Sequence, residues 1–556
     1  MDYEMIRTDV LIVGGGAAGA RAAIEAAKRR KVALLCKGSI GWSGITPLAF
    51  TGYSAYTGTI AEDSPAVQMA DVLKGGYYLA EPKLVRAMVE AGRQTVQDLV
   101  DYGVRFVRER DGFLVQIMPG NTYPRCLRIK GEGASFMEAL AKRVQHLSNV
   151  TLFPDMYVTQ ILRSDGRAVG ATALDARTGT LRVFISNAVI LAAGGCEQLW
   201  PHTDCPPEST GDGYAMALRC GAELVDMEQQ LFYPTIALYP EPIRGLEISY
   251  ERCLRVGGGG QLINGQGDVF FRAETFPTRD QLSNLIYQEI AAGRATPHGG
   301  VYLDLRGAQS WLKEELPRTL APFARLVYFG LDPRGSLLEV APGTHTSLGG
   351  VRIDEQACTN IPGLFACGEV AGNTHGANRL AGHALLDTQV FGMIAGASAV
   401  AYAESNPFLE PRATDIRDER DRVMSVYGKK GTDYRPFELA KQIRQLMGET
   451  VGFGRHQQAL EKTRNGLNAL RHTYLADVKV AGPQPFNNDW LEALEVANML
   501  DTAELVTFSA MARKETRGTH VRRDCPWTDS NPYHVVVRSQ SGTLDVCLDP
   551  VGGREG

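Results

Sequence analysis

The segment of residues 9–19 constrains the fold of this chain more than any other stretch. Its apolar part, Val10 to Val13, predicts a buried parallel strand, and the Ala-rich residues 20–28 predict a helix directly after it. The turn between them carries glycines at the spacing G-x-G-x-x-G, which lets the backbone approach a pyrophosphate at the helix N-terminus. The segment therefore predicts a dinucleotide-binding unit. Its predicted cofactor contacts are Gly14, Gly16, Ala17, Ala18 and Gly19.

The next predicted strand, residues 31–36, departs from a plain NAD site. Such strands usually end in Asp or Glu, whose carboxylate binds a ribose hydroxyl, whereas this one ends in Cys36 and is followed by Lys37. We take Lys37 as a candidate cofactor contact instead. In the small-residue loop that follows, Ser43 and Gly44 would let a flat ring system lie close to the backbone, unless the loop is simply a turn.

A predicted β-meander over residues 155–195 leads back to the first sheet. Its last strand ends at Ala193 and Gly194, and these small residues suit close packing beside a dinucleotide. A helix is predicted next. Asp212 either caps that helix or contacts the ligand, and the sequence leaves both roles open.

Length and charge narrow the class of protein. A chain of 556 residues exceeds a single compact core, so we expect two to four domains, with helices over residues 437–475. The formal net charge is −5 (58 basic against 63 acidic side chains) without a long basic run, which argues against nucleic acid as a partner. No apolar run reaches membrane-spanning length, and no signal sequence precedes the first strand. We therefore expect a cytoplasmic protein without a membrane span.

The ten cysteines are scattered along the chain. None forms C-x-x-C, and no ferredoxin-like spacing occurs. The sequence therefore predicts that the chain holds no iron–sulfur cluster and no metal site of its own, and that most of its thiols are reduced and buried.

Several later motifs form a combination that is more specific than any one of them. They are His345-Thr-Ser-Leu-Gly-Gly350, Gly363-Leu-Phe-Ala-Cys-Gly-Glu369, His375-Gly-Ala-Asn-Arg-Leu-Ala-Gly382 and Arg517-Gly-Thr-His520. With these motifs and the N-terminal glycines, the chain resembles the flavoprotein subunit of the fumarate reductase and succinate dehydrogenase family, which includes L-aspartate oxidase. The matching segments run from residue 9 to about residue 530.

The resemblance implies an α/β fold, in which a Rossmann-like FAD-binding domain holds an inserted α+β capping domain and is followed by a C-terminal helical domain. The expected ranges are 1–235 and 342–405 for FAD binding, 236–341 for the cap, 406–515 for the helices and 516–556 for a tail. Glu369 would accept a hydrogen bond from the ribityl chain of FAD. Backbone N–H groups opening a helix would face the flavin's pyrimidine edge and favour the negative charge of the reduced ring. These N–H groups belong to Ala384, Leu385 and Leu386.

The resemblance also implies how a substrate is held. Arg379 and His345 would bind one substrate carboxylate, the arginine through a fork of two N–H bonds and the histidine through a third. Hydride would pass between flavin N5 and one substrate carbon, and Arg279 would move the proton at the neighbouring carbon. We therefore expect an enzyme that reduces or oxidises a C–C bond next to a carboxylate.

The second carboxylate pocket of the family is altered. Tyr233 stands where the family has the histidine of Q-F-H-P-T, and counting along the chain puts the family's Thr-Glu pair on Arg252 and Cys253. Arg252 or Arg255 would have to restore positive charge there. Tyr233 can instead donate to a carbonyl, amide or hydroxyl. We therefore expect a substrate with one carboxylate and a different far end, which fits neither fumarate nor succinate.

The link to the flavin is a second departure. Many family members join FAD covalently to a histidine in a Ser-His-Thr sequence of the N-terminal third. The first histidine of this chain is His146, and the loop over residues 38–50 has none. We therefore expect FAD to be bound non-covalently.

Two other functions remain open at this point. An oxidase similar to L-aspartate oxidase would act on an amino or hydroxy acid and return electrons to oxygen. An electron-transfer or assembly subunit would have lost its substrate site, although the retention of Arg279, His345 and Arg379 argues against such a loss. A reductase without its own cluster would need an outside donor, such as a separate iron–sulfur subunit or another electron-transfer subunit.

Overall fold

The structure is a computed structural model, and it describes most of the chain. The described residues are 3–50, 52–109, 112–272, 274–308, 326–427, 434–540 and 543–552. Residues 309–325 of the predicted capping domain, 428–433 of the predicted helical domain and 553–556 of the predicted tail lie outside these ranges.

Strands and helices are numbered here in chain order. The strands are β1 (Glu4–Val13), β2 (Val32–Leu35), β3 (Tyr53–Ser54), β4 (Arg108–Glu109), β5 (Gly112–Phe113), β6 (Val115–Gln116), β7 (Cys126–Leu127), β8 (Val150–Phe153), β9 (Met156–Ser164), β10 (Arg167–Asp175), β11 (Thr180–Leu191), β12 (Leu224–Val225), β13 (Gln230–Tyr239), β14 (Gln261–Ile263), β15 (Val269–Arg272), β16 (Val301–Asp304), β17 (Leu338–Ser347), β18 (Gly350–Val351), β19 (Leu364–Ala366), β20 (Tyr533–Gln540) and β21 (Thr543–Pro550). The helices are α1 (Ala17–Ala26), α2 (Pro65–Gly75), α3 (Pro82–Asp101), α4 (Glu132–Gln145), α5 (Asp212–Cys220), α6 (Tyr250–Cys253), α7 (Arg279–Ala291), α8 (His383–Ser405), α9 (Ala413–Val426), α10 (Pro436–Thr450), α11 (Gln457–Asp477) and α12 (Asn488–Ala512).

The largest sheet is built around β1, which pairs in parallel with β2 on one side and with β11 on the other. β8 extends the sheet beyond β2, and β19 pairs in parallel with the end of β11. The antiparallel strands β9 and β10 complete it, so the predicted meander is confirmed. Residues Val10 to Val13 are buried because α1 and α8 pack on β1. A near-continuous apolar run is typical of such a covered parallel strand.

A second sheet forms the capping region, with strands in the order β13-β17-β16-β14-β15. The chain enters this region along β13 and leaves it along β17, and these two strands pair antiparallel. The predicted domain borders at 235/236 and 341/342 therefore fall within continuous strands. The predicted turn at residues 264–267 is confirmed, since it connects β14 to β15. An apolar cluster of its own, which includes Leu262, Ile286 and Val301, stabilises the cap.

The C-terminal part is helical, as predicted. The helices α10, α11 and α12 pack against one another, and α12 also packs on α5. After α12 the sequence predicted only a tail, but β20 and β21 form a hairpin that joins β12 and β18 in a sheet. Arg513 fixes this junction, since it is fully buried and its guanidinium bonds to Asp226 at 2.8 Å and Glu228 at 2.5 Å. Taken together, the architecture is the mixed α/β fold that the sequence predicts.

Among the described residues, one helix is long and apolar enough to cross a membrane. It is α8, and 61% of its most apolar window is buried inside the fold. The helix packs against α1, α3 and β11. Its apolar composition is therefore accounted for by the core of the FAD-binding region.

Candidate functional site

A cavity of about 440 Å³ lies where β1, β2 and β11 end, between the large sheet and the capping region. Parallel α/β sheets bind their ligands at this edge. The cavity lining includes these predicted site residues: Gly14, Gly16, Ala17, Ala18, Lys37, Ser43, Gly44, Ala193, Gly194, Asp212, His345, Glu369, Arg379, Ala384 and Leu385. Four other predicted site residues are not part of the lining: Gly19, Tyr233, Arg279 and Leu386.

The turn after β1 has the shape of a phosphate cradle. Gly14 has a φ of +112°, and a Cβ on it would lie 2.1 Å from the carbonyl oxygen of Ala192. A Cβ on Gly19 would lie 1.9 Å from the carbonyl oxygen of Gly14. Gly19 is therefore needed for the close packing of α1 on the turn after β1, and it is not part of the cavity lining. Above Gly16 the space is open, because a Cβ there would meet only Thr46 Oγ1, at 3.7 Å.

Lys37 and Asp212 line the cavity but are bound to each other. Lys37 Nζ lies 2.9 Å from Asp212 and 2.6 Å from Glu495. Burial alone would lower the pKa of Lys37, but these two carboxylates raise it above its usual value. The Asp212 side chain caps no N–H group of α5, and it accepts hydrogen bonds from Tyr157 and Asn498 as well. The capping role is thus wrong, and the pair builds a wall of the cavity.

The far end of the cradle is formed by Glu369 and the start of α8. Glu369 Oε1 accepts hydrogen bonds from the Thr346 hydroxyl and the Ser347 N–H, at 2.8 and 2.9 Å. In the first turn of α8, Ala384 and Leu385 line the cavity, whereas Leu386 is fully buried outside it. The N-terminus of α8 adds a partial positive charge to this end.

These features fit a dinucleotide cofactor of the size of FAD. No neighbouring atom lies within 4 Å of a Cβ built on Gly44 or Gly194, and both glycines have a positive φ. Together with Gly16 they leave backbone open along the cavity, between the N-termini of α1 and α8. A flat ring system and a pyrophosphate can therefore lie directly on the backbone.

Arg379 is the group in this cavity with the clearest need for a ligand. It is 5% exposed, and its guanidinium donates no hydrogen bond to any residue that the structure describes. Burial and the neighbouring charge of Arg279 lower the pKa of Arg379 to about 10, so it remains cationic at neutral pH. A buried cation without a partner is costly, and a carboxylate bound in a fork would remove the cost.

His345 also lines the cavity, but both of its ring nitrogens have partners. Nδ1 lies 2.7 Å from Asp204 Oδ2, and Nε2 lies 3.3 Å from a terminal nitrogen of Arg279. Because a guanidinium only donates hydrogen bonds, Nε2 of His345 must be the acceptor from Arg279. The ring proton is therefore on Nδ1, which donates a hydrogen bond to Asp204. Burial lowers the pKa of His345, in keeping with a neutral ring. In this arrangement His345 has no N–H left for a substrate carboxylate, contrary to its predicted third bond.

Arg279 lies one contact behind the cavity wall, at the start of α7. Its Nε and Nη2 atoms lie 3.1 and 2.9 Å from Glu251 Oε1. Burial alone would lower the pKa of Arg279, but the charge of Glu251 raises it above the ordinary value of an arginine. For Glu251, burial alone would raise the pKa, but the charge of Arg279 and the hydrogen bond from Tyr233 lower it below its usual value. Arg279 and Glu251 therefore form a closed ion pair.

Tyr233 belongs to this closed group and not to the cavity surface. Its hydroxyl donates to Glu251 Oε2, and its fully buried ring lies 5.1 Å from the guanidinium carbon of Arg279. The ring also packs on Tyr250, whose backbone N–H donates to the Tyr233 oxygen. The Tyr233 hydroxyl already donates its hydrogen bond to Glu251. The expectation that Tyr233 contacts the far end of a substrate is therefore not met in this structure.

The sequence analysis named no partner for Arg279. The structure shows that Glu251 is the partner, next to Arg252 and Cys253, on which counting put the family's Thr-Glu pair. Arg252 turns the other way and bonds to Glu132 at 3.2 Å. Arg252 and Arg255 line a separate cavity of about 460 Å³, so neither brings positive charge to the main one.

Four acidic residues of the cavity lining were not among the predicted site residues: Asp204, Glu208, Glu247 and Asp387. Two of them, Asp204 and Glu247, lie beside His345. Asp204 lies beside β17, where Thr203 bridges Thr344, and Glu247 lies on a segment that runs along β13. Oxygen or nitrogen atoms of Asp204, Glu247 and His345 all lie within 4.8 Å of one another. Neither Asp204 nor Glu247 belongs to a recognisable sequence motif. The pairing of distant strands brings the two loops that carry them together.

Glu247 is in an unusual state for a carboxyl group. It is 8% exposed, lines the cavity, and its Oε1 atom is buried without a hydrogen-bond partner. Burial, together with the negative charges of Asp204 and Glu251, raises the pKa of Glu247 to about 8. Arg244, on the same segment, is 37% exposed at the rim and lies 3.7 Å from Glu241. Glu247 is thus largely protonated at neutral pH.

Comparison with known proteins agrees with this geometry. A model described as FAD binding domain matches residues 9–385, and a model described as Fumarate reductase flavoprotein C-term matches residues 440–551. One subunit of the fumarate reductase (CoM/CoB) of Methanothermobacter marburgensis is 38% identical, over 95% of this chain and 96% of that protein. L-aspartate oxidase 1 of Ralstonia nicotianae is 30% identical, over 94% and 96%. The solved structure of Mycobacterium smegmatis Sdh1 in complex with UQ1 matches with a TM-score of 0.90 and 30% identity, covering 98% of this chain and 95% of that chain.

Proposed function

We propose that this chain, which belongs to the flavoprotein family of fumarate reductase, succinate dehydrogenase and L-aspartate oxidase, oxidises or reduces a small substrate that carries one carboxylate. It is an FAD-dependent oxidoreductase. The proposed reaction is at a C–C bond next to the carboxylate, and the proposed substrate is neither fumarate nor succinate.

The unpaired guanidinium of Arg379 carries this proposal. It is a buried cation that faces the cavity and has no hydrogen-bond acceptor among the described residues. A carboxylate can accept two of its N–H groups at once, which fixes both the position and the orientation of the substrate. Such fixation is what a redox reaction at the neighbouring carbon requires.

The chemistry at the carbon divides between cofactor and protein. When bound, FAD supplies a hydride donor or acceptor at its N5 atom. Arg379 would orient the substrate, and Arg279 would exchange the proton at the second carbon. Glu251 and Tyr233 hold Arg279 in place at one contact from the cavity. Because the pKa of Arg279 lies above its ordinary value, it gives up a proton only to a strongly basic, carbanion-like centre.

The opposite end of the site supports a substrate with a single carboxylate. Tyr233 and Tyr250 are both fully buried and pack on each other, with Glu251 bound between the Tyr233 hydroxyl and Arg279. No cation in that group is free, since Arg279 is already neutralised by Glu251. A second substrate carboxylate would meet Asp204 at the cavity surface, where like charges repel.

Turnover of matched substrates tests the proposal. The FAD-loaded protein is given a chemically reduced viologen dye and either fumarate or crotonate, which share a four-carbon 2-enoate skeleton and differ only in the second carboxylate. We expect oxidation of the dye with a monocarboxylate of this kind and little with fumarate. Robust fumarate reduction would contradict the proposed substrate class. Rapid reoxidation of the substrate-reduced protein by air would point instead to an oxidase.

The attachment of FAD is a second point to test. In the described part of the chain, the histidines that line the cavity are His345 and His375, and burial lowers the pKa of both. His345 is held by Asp204 and Arg279. We expect precipitation with acid to release all of the flavin into the supernatant. Yellow colour that stays with the pellet would show a covalent bond.

We also propose an electron partner outside the chain. The relative from Methanothermobacter marburgensis is named as a subunit, so that protein is one part of a larger enzyme. The cysteines in the described residues are free, and eight of the ten are buried singly in the fold. A separate iron–sulfur or other electron-transfer subunit would serve a cytoplasmic reductase of this kind. Purification of the tagged chain from its own cells, followed by iron analysis of what co-purifies, tests this.

A further inference from the structure

The acidic pair of Asp204 and Glu247 has no role in binding the substrate or moving a proton in the function proposed above. Both side chains line the cavity, as Arg379 and His345 do, and both lie close to His345. The Asp204 side chain is 6% exposed, and Glu247 is 8% exposed with its Oε1 atom lacking a partner. A buried carboxyl oxygen without a hydrogen-bond partner also costs free energy of folding. The cavity thus contains two buried groups that need a ligand: Arg379 needs an anion, and Glu247 needs a hydrogen-bond donor.

A metal ion is a poor occupant for the acidic pair. A third ligand would have to come from His345, whose nitrogen atoms lie near both carboxylates. However, Nδ1 of His345 donates its proton to Asp204, and Nε2 accepts from Arg279. The imidazole therefore has no lone pair free for coordination. Metal binding through His345 would require breaking one of these contacts, whereas binding of an ammonium group by the two carboxyl groups requires breaking neither.

We propose that Asp204 and Glu247 bind a protonated amino group, so that the substrate held by Arg379 is a zwitterion, an amino acid with one carboxylate. This inference rests on the proposed function, because it needs the carboxylate on Arg379. An ammonium group donates up to three hydrogen bonds and can satisfy Glu247 Oε1 and a carboxylate oxygen of Asp204 together. A dicarboxylate would instead bring its second negative charge against Asp204.

Binding of an ammonium group has a measurable signature in protons. The carboxyl of Glu247 faces Asp204 and Glu251, whose charges favour its neutral form, and Arg279 and Tyr233, which oppose them. Because Glu247 is largely protonated near pH 7, a bound cation ionises it and releases a proton to the solvent. A carboxylate without an amino group has no such effect on Glu247.

The experiment is a titration of the FAD-loaded protein with four-carbon acids that each carry at least one carboxylate. The probes are butanoate, 2-aminobutanoate, 3-aminobutanoate, 4-aminobutanoate and succinate, and binding is followed by the perturbation of the flavin spectrum. We expect at least one aminobutanoate to bind about tenfold or more tightly than butanoate, which is the scale of one charge-assisted contact, and succinate to bind more weakly. Calorimetry in two buffers of different ionisation enthalpy should show proton release with that aminobutanoate and not with butanoate.

Variants assign the effect to the acidic pair. Glu247→Gln should reduce the preference for the aminobutanoate to near unity, whereas Glu274→Gln, an exposed site of the same capping region, should keep it. Asp204→Asn is a second variant with the same expected loss. Proton release in the unmodified protein is informative even if a variant folds poorly.

The outcomes separate this inference from the proposed function. Binding of butanoate without any preference for an amino group would overturn the inference and leave the carboxylate site standing. Failure of every probe to bind would remove the proposed function and the inference with it. A preference that appears only after addition of Mg²⁺, Mn²⁺ or Zn²⁺, and that a chelator abolishes, would assign the pair to a metal and overturn the inference.

Discussion

The site contains two buried arginines and two buried glutamates, and they form two regions of opposite character. In the first region, Arg279 and Glu251 lie 2.9 Å apart and Tyr233 completes the carboxylate's hydrogen bonding. In the second region, Arg379 and Glu247 face the cavity with buried nitrogen and oxygen atoms that lack partners. The same residue types, at similar burial, are therefore satisfied in one place and left open in the other.

This contrast teaches where a ligand is needed. A folded protein pairs its buried charges almost without exception, because an unpaired charge or polar group costs free energy of folding. The first region is paired by the chain itself and serves as a rigid wall. The groups of the second region find partners only when a molecule with complementary groups is bound. The unpaired atoms of Arg379 and Glu247 therefore indicate which groups the substrate carries.

The largest effect should come from breaking the closed pair. Arg279→Met leaves Glu251 as an uncompensated buried charge, so we expect a loss of about 3 to 5 kcal/mol in the free energy of unfolding. Chemical denaturation followed by circular dichroism measures it. The double variant with Glu251→Leu should recover most of the loss, since it removes both charges. A single variant as stable as the original protein would show that the two regions do not differ as described.

Removal of the tyrosine hydroxyl should have a smaller effect on the same wall. Tyr233→Phe keeps the ring against Arg279 but takes one donor from the Glu251 carboxylate. A hydrogen bond to a charged group contributes on the order of 1.5 to 3 kcal/mol to stability, and a loss in that range is expected. Binding of a monocarboxylate at Arg379 should change little. A selective loss of substrate binding with full stability would place Tyr233 in the substrate site after all.

The third expected effect is a change in the pH dependence of stability. Glu247 has its pKa raised from 4.5 to about 8 in the fold, so between these pH values the folded chain keeps a proton that the unfolded chain has lost. Stability contributed by this group therefore falls as the pH rises from about 4.5 to about 8. Glu247→Gln should flatten the decline, measured as unfolding midpoints across that range. A parallel decline in both proteins would contradict the raised pKa.

The sequence predicts the fold well because its signals are local or cover long segments. Val10 to Val13 with Gly14 specifies a strand and a turn whose neighbours are a few residues away, and the structure confirms both. Arg379 and His345 were found through motifs, and both line the cavity.

Other parts of the site could not be predicted from the sequence. Asp204 and Glu247 are brought to His345 only by the pairing of distant strands. Glu251 was given no role, because counting back from Asn264 ended on its neighbours Arg252 and Cys253. Whether Tyr233 faces the cavity or a buried carboxylate depends on side-chain packing, and no pattern of residue types records that.

The most direct test of the central claim is the affinity of the FAD-loaded protein for a simple monocarboxylate, with and without Arg379. Crotonate or butanoate is titrated against the flavin spectrum of the original protein and of Arg379→Met. Loss of one partner of a buried, hydrogen-bonded charge pair costs about 2 to 5 kcal/mol, so we expect Kd to rise by at least about 30-fold. Because Arg379 has no protein partner among the described residues, the variant should keep its FAD and be at least as stable as the original. Equal affinity in the two proteins would contradict the claim that Arg379 binds the substrate carboxylate.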